Sequence, residues 1–162
     1  MSAASRAGPA LRRARDRDLD RLLALYDRLA EHHAAAGPAF ALRASAGEHL
    51  RGHLAARLRD PEACLLVAED GGDLLGFCLA SVAHRPAFFE EVERVEVEGL
   101  FVRPEHRRGG LARALVEAAL DAVDPGRRLR VELAVARGNP EGEGFWRSLG
   151  FAPVMDVMER RR

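Results

Sequence analysis

Two glutamates two residues apart, Glu96 and Glu98, lead into a glycine-bearing, arginine-flanked stretch that runs from Arg103 to Arg113. Residues at i and i+2 of a strand share a face, so an extended segment here points both carboxylates the same way. A carboxylate so placed can take a proton from an amine, directly or through water, and a positioned base contributes roughly 10²–10⁴-fold to rate. The two also close an acidic run of Glu90, Glu91, Glu93, Glu96 and Glu98. Most of that run reads as a solvated strand face, and some of it as attraction for a cationic ligand. The loop Arg107-Arg108-Gly109-Gly110-Leu111-Ala112 then opens a helical pattern. Glycines let successive backbone N–H groups converge, and at a helix N-terminus such groups suit a phosphate or pyrophosphate. Arg103, Arg107, Arg108 and Arg113 surround this loop against one acid, Glu105. No Gly-Lys-Ser/Thr follows and no G-x-G-x-x-G is present, which excludes the P-loop and the dinucleotide fingerprint.

Downstream lies Asn139-x-x-Gly142-x-x-Phe145-Trp146-x-x-Leu149-Gly150-Phe151. With the loop, which fits Gln/Arg-x-x-Gly-x-Gly/Ala, and with Leu100-Phe101-Val102 and Pro104 ahead of it, the sequence resembles the GNAT superfamily of acyl-CoA-dependent N-acyltransferases. The resemblance covers nearly the whole chain from about Leu11. It implies an α/β GNAT fold, a mixed central sheet of six to seven strands flanked by about four helices. It implies acetyl-CoA as co-substrate, no metal, and an amine acceptor: a small molecule, an aminoglycoside or a protein amine. Leu100, Phe101 and Val102 would pair with the pantetheine arm through their backbone. Arg107, Arg108, Gly109, Gly110, Leu111 and Ala112 would hold the pyrophosphate. Asn139, Phe145 and Trp146 would line the thioester end. Glu98, with Glu96 as the other choice, would be the catalytic base, and a backbone N–H near Val102 would polarise the thioester carbonyl.

One position departs from the family pattern. Where the family has its usual general acid, a tyrosine, this chain has Trp146, whose indole N–H is a donor with no proton to give up. A free thiol has a pKa of about 8.5, so a thiolate can leave near neutrality and take its proton from water. The general acid is therefore unassigned, and Tyr26, the one tyrosine, reads as a core residue of the first helix. The alternative function is a non-catalytic acyl-CoA-binding sensor or regulatory module.

The histidines are compatible with several roles. His49 and His53 share a helix face at i and i+4, as metal ligands do, but no third ligand stands near them. His32-His33 suits a helix C-terminus, and His32, His33 and Phe40 border the acceptor region that the resemblance implies. His84-Arg85-Pro86-Ala87-Phe88-Phe89 reads as an exposed loop with adjacent aromatics.

The elements that must position these residues follow from periodicity. Residues 1–8 read as a disordered lead and 9–162 as one domain. A short strand at Pro9–Ala14 precedes a helix over about 16–36, capped by Asp16, with Leu19, Leu22, Leu23, Tyr26 and Leu29 on one face and Gly37-Pro38 at its end. Ser45-Ala46-Gly47-Glu48 matches a capping box for a second helix ended by Asp60-Pro61. A hairpin turns at Gly71-Gly72. A strand ends at Val102, helices follow at 110–123 and 142–149, and strands at 129–136 and 153–158. A two-residue turn would pair Cys64 with Leu79 and put Cys78 on the opposite face, so the cysteines read as buried thiols.

Composition bounds the rest. The chain has 162 residues, 25 cationic and 25 acidic, for zero net charge, and every one of the 25 cations is arginine. Zero net charge and the lack of a basic aromatic platform argue against a nucleic-acid partner. No apolar run approaches the roughly 20 residues of a membrane span, and no signal-like apolar core follows Met1. A cytoplasmic domain is expected, and exposed edge strands leave room for a homodimer.

Overall fold

A computed structural model describes residues 8–35, 42–43 and 45–160. The expected disordered lead, apart from Gly8, lies outside the described residues, as do Gly37-Pro38 and Phe40. The chain runs β1 (Ala10–Arg13), α1 (Leu19–Ala34), α2 (Ala46–Arg59), β2 (Ala63–Asp70), β3 (Asp73–His84), β4 (Glu93–Val102), α3 (Leu111–Val123), β5 (Val131–Glu132) and α4 (Pro140–Ser148). One sheet has the order β1-β2-β3-β4-β5; the first three pairings are antiparallel and β4–β5 is parallel. The sheet is thus mixed, as expected, with five strands among the described residues rather than six to seven. Of the 129–136 segment only Val131–Glu132 pairs. Residues 153–158 form no strand and leave Val154, Met155, Val157 and Met158 exposed. A two-residue edge strand offers almost no ladder for a further strand to extend, and Pro153 brings no N–H to one.

Each sheet face carries its own apolar layer. Beneath α3 lie Cys64, Leu66, Cys78, Val95 and Val97 with Leu115 and Val116. Beneath α1 and α2 lie Leu22, Leu25, Leu54, Val67, Phe77 and Phe101. Covered on both faces, β2 is buried from Ala63 to Ala68, which explains its unbroken apolar run. Among the described residues no helix is long and apolar enough to cross a membrane.

Two local expectations give way to side-chain chemistry. Asp16 does not cap α1. Asp18 is instead fully buried, and its carboxylate accepts from the Arg15 N–H at 2.8 Å, from Arg12 at 2.7 and 3.0 Å, and from Arg21 at 2.5 Å. Ser45 sits at the start of α2 but makes no side-chain cap bond, so the capping box does not form.

The hairpin register also differs. Asp70 pairs with Asp73 as expected, but a bulge between Ala68 and Glu69 sets Ala68 opposite Gly76 and Cys64 opposite Ala80. An extra residue reverses side-chain parity. Cys64 and Cys78 consequently share the α3 face, as two free, fully buried thiols. Burial, with Cys64 nearby, pushes the Cys78 thiol up to about 12.

The side-chain hydrogen bond from Arg12, opposed by burial and aided by Arg15 N–H and Arg21, holds the Asp18 carboxyl well below the usual range. A lowered folded-state value stabilises the fold above the unfolded carboxyl value of about 3.9, and that stability is lost as pH falls through the folded value. Asp18→Ala should destabilise the protein by roughly 3 kcal/mol, the low end for removing one partner of a buried pair. For a chain this long that is a melting-temperature drop of roughly 10 °C. Melting curves between pH 7 and pH 3 should be flatter for Asp18→Asn than for the parent.

Candidate functional site

The site begins where the sheet opens. β4 and β5 pair only at Val95–Val131 and Glu96–Glu132. Beyond that point β4 continues to Val102 while the other strand ends, so the β4 edge facing β5 has no strand partner among the described residues. A cavity of about 640 Å³ occupies the gap, lined by Val97–Val102 on one side and Leu133–Ala136 on the other. Its further walls are the loop, the first turn of α3, α4, and Leu29, His32 and His33 of α1. Unpaired strand edges and buried apolar walls suit a slender ligand that brings its own amide groups.

At the loop, Gly110 stands before α3 with φ 80°, the left-handed conformation that glycine adopts without strain. Arg108 is also left-handed, at φ 66°. The first intrahelical bond runs from Ala114 N–H to Gly110 C=O at 3.0 Å, so the N–H groups of Leu111, Ala112 and Arg113 have no acceptor within the helix. They face outward beside the cavity with the positive end of the helix dipole behind them. Arg107 braces the loop: its Nε donates to Val102 C=O at 3.0 Å, and its guanidinium lies 5.8 Å from the Phe101 ring centre.

Of the residues expected to hold a cofactor, Leu100, Phe101, Val102, Arg107, Arg108, Gly110, Ala112, Asn139, Phe145 and Trp146 line the cavity. Gly109 and Leu111 do not. Gly109 stands in open space and the Leu111 side chain packs into the α3 core. Asn139 caps α4, its Oδ1 accepting from Gly142 N–H at 3.0 Å. Trp146 stands edge-on to Phe145 (5.0 Å) and Phe151 (5.3 Å), an aromatic wall rather than a proton source.

Glu98 lines the cavity and Glu96 does not. The reason is a second bulge: Leu79 pairs with Gly99 and Ala80 with Val97, which leaves Glu98 as the extra residue of β4. Gly99 beside it is required by a close approach, because a Cβ there would lie 2.9 Å from Tyr26 Oη and 3.2 Å from the Phe77 ring. Burial, reinforced by the charge of Glu98, pushes the Tyr26 hydroxyl well above the ordinary phenol range.

Contacts that sequence spacing could not reveal surround Glu98. Ser81 Oγ donates to Oε1 at 2.5 Å, Arg57 Nη2 stands 2.8 Å from Oε1, Arg57 Nε donates to Oε2 at 3.3 Å, and His53 Nε2 lies 3.0 Å from Oε2. Despite the cost of burial, the Glu98 and Asp60 carboxylates keep Arg57 above its usual value. His53 thus faces a carboxylate rather than a metal. Among the described residues no group of three or more His, Cys, Asp or Glu could hold a metal ion. On α1, burial, with His32 beside it, lowers the His33 imidazole.

The sequence matches the Acetyltransferase (GNAT) family over residues 19–151. No curated protein is a significant sequence match. The fold superposes on the tetramutant of BH1408 protein from Bacillus halodurans with a TM-score of 0.81 at 20% identity, covering 94% of this chain and 99% of that one. Aminoglycoside antibiotic 6'-N-acetyltransferase AAC(6')-IG from Acinetobacter haemolyticus gives 0.74 at 20% identity, with 94% and 97% covered. A predicted acetyltransferase from Clostridium acetobutylicum gives 0.76 at 13% identity, with 94% and 96% covered. At such identities these structures establish the fold.

Asn139→Ala removes the α4 cap and should cost about 1 kcal/mol, a melting-temperature drop of roughly 3 °C. Asn139→Asp should restore most of it, because an aspartate can accept the same backbone bond.

Proposed function

Because the chain belongs to the GNAT family of acetyltransferases, we propose that it moves an acetyl group from acetyl-CoA to a primary amine by direct attack, with Glu98 as the base. One observation carries this reading: the unpaired edge of β4 joins the phosphate-compatible start of α3 at one end and the Glu98 bulge at the other, all along one cavity. The residues present fit acetyl-CoA. Free N–H groups of Leu111, Ala112 and Arg113 suit the pyrophosphate, the β4 edge suits the pantetheine amides, and Phe145 and Trp146 enclose the apolar end. Bound there, acetyl-CoA supplies an activated thioester carbonyl, and the Clostridium acetobutylicum relative was solved with acetyl-CoA.

The protein's own part is to present a neutral amine. A lysine-like amine has a pKa of about 10.4 and reaches the site as an ammonium ion. Glu98, held in place by Arg57 and Ser81, attracts that cation and takes its proton. Aminoglycoside N-acetyltransferases among the structural relatives support a cationic acceptor, as does the Glu98 carboxylate in the cavity wall. Trp146 leaves the departing thiolate to be protonated by water. The exposed apolar segment around Val154 to Met158 supports a homodimer as the assembled form.

Acetyl-CoA at about 100 times its Kd should stabilise the protein by about 2.7 kcal/mol, or roughly 5–10 °C in melting temperature. With neamine, spermidine and a lysine-containing peptide as acceptors, free thiol should appear at a rate that depends on the amine. Binding without thiol release for any amine would instead identify an acyl-CoA sensor. Glu98→Gln should lower kcat/KM by roughly 10²-fold or more while leaving acetyl-CoA binding intact. The same loss in Glu96→Gln alone would move the base to Glu96.

A further inference from the structure

The four contacts on Glu98 raise a question about the proton it receives. An ionised carboxylate has about four lone-pair directions. Here Ser81 and the two reaching nitrogens of Arg57 occupy three of them, and His53 Nε2 stands 3.0 Å from Oε2. For turnover to repeat, a proton taken from the acceptor must leave Glu98 again. Bulk water is a poor exit, because the Glu98 side chain is only 15% exposed, whereas that of His53 is 46% exposed.

We propose that His53 of α2 works in series with Glu98, carrying the acceptor's proton from the carboxylate to solvent, while Arg57 and Ser81 hold the carboxylate in line. This rests on the reading that Glu98 is the base. The transfer balances in three steps. The ammonium N–H bond breaks and an O–H bond forms on Glu98. The carboxylic acid then protonates Nε2 of the Nδ1–H imidazole, which restores the carboxylate and gives imidazolium. The imidazolium releases its Nδ1 proton to water, and the neutral tautomers interchange through solvent. An imidazole suits this step because it changes charge near neutral pH.

His53 and Arg57 are one helical turn apart, so α2 delivers a proton carrier and a fixed cation to the same carboxylate. Ser81, 2% exposed, reaches it from β3. The other titratable groups on the elements around this pair include Tyr26, His32 and His33 of α1, His49 of α2, Asp60 just after it, and Glu96 of β4. Glu98 hydrogen-bonds His53, Arg57 and Ser81.

The test compares His53→Gln, His53→Ala, Arg57→Lys, Arg57→Ala and Glu98→Gln, using acetyl-CoA and the amine panel above. His53→Gln keeps a polar side chain beside Glu98 but carries no proton. It should lower kcat by roughly 10²-fold at neutral pH, the low end of what a positioned acid–base group contributes, with KM and melting temperature unchanged. Free imidazole should restore activity to His53→Ala, and not to Glu98→Gln. Arg57→Ala should lower kcat, because it removes the cation that holds the Glu98 carboxylate in line, and Arg57→Lys should restore part of it. Parental activity in His53→Gln, or no rescue by imidazole, would overturn the relay while leaving Glu98 as base. Parental activity in Glu98→Gln, or no turnover with any amine, would overturn the reading beneath it.

Discussion

Everything in this molecule that bears on acetyl transfer depends on β4 losing its parallel partner halfway along. A strand paired on both sides has no spare backbone donors or acceptors, whereas β4 past Glu96 keeps one edge available. The cost of an unpaired edge is exposure to misassembly, and here the edge is turned inward upon a cavity rather than outward upon solvent. The layers on both faces hold the strands that border the gap. α3 grips one face through Leu115 and Val116 and also sets the phosphate-compatible end. α1 and α2 grip the other through Leu22, Leu25 and Leu54 and bring the charged partners of Glu98.

The parts of this arrangement legible in the sequence are those governed by near neighbours in the chain. The Arg107–Ala112 loop could be read because a strand-to-helix turn needs glycine at a left-handed position, and Gly110 holds one. Asn139 could be read because a cap acts over three residues. What escaped depends on register or on distance. The bulges at Ala68 and Glu98 each insert one residue, leave no mark in composition, and reverse the parity on which facing arguments rest. They put Cys64 and Cys78 on one face, and they carry Glu98 rather than Glu96 into the cavity wall. His53 and Arg57 lie 45 and 41 residues from Glu98, a separation over which no periodicity speaks.

Asp18 shows the same competition between local and distant partners. Spacing favours Asp16 as the cap of α1, yet burial selects Asp18, because only there can two arginines and a backbone N–H meet one carboxylate. The resulting ion cluster ties β1 to α1 and, through Glu69, to β2. A buried carboxylate left without such partners would cost the fold several kcal/mol, so its neighbours are constrained as tightly as it is.

A thioester is a reagent as well as a substrate, and it acylates whatever neutral amine or thiolate lingers beside it. This chain offers it very little. Its 25 cations are all guanidinium groups, which stay protonated and are poor nucleophiles at any physiological pH. Its two thiols are sealed under α3, and burial keeps Cys78 in the unreactive thiol form. Among the described residues neither a lysine amine nor an accessible thiol therefore lines the cavity. An incoming amine meets no lysine competitor, and the catalyst has no side-chain amine for its own co-substrate to acylate.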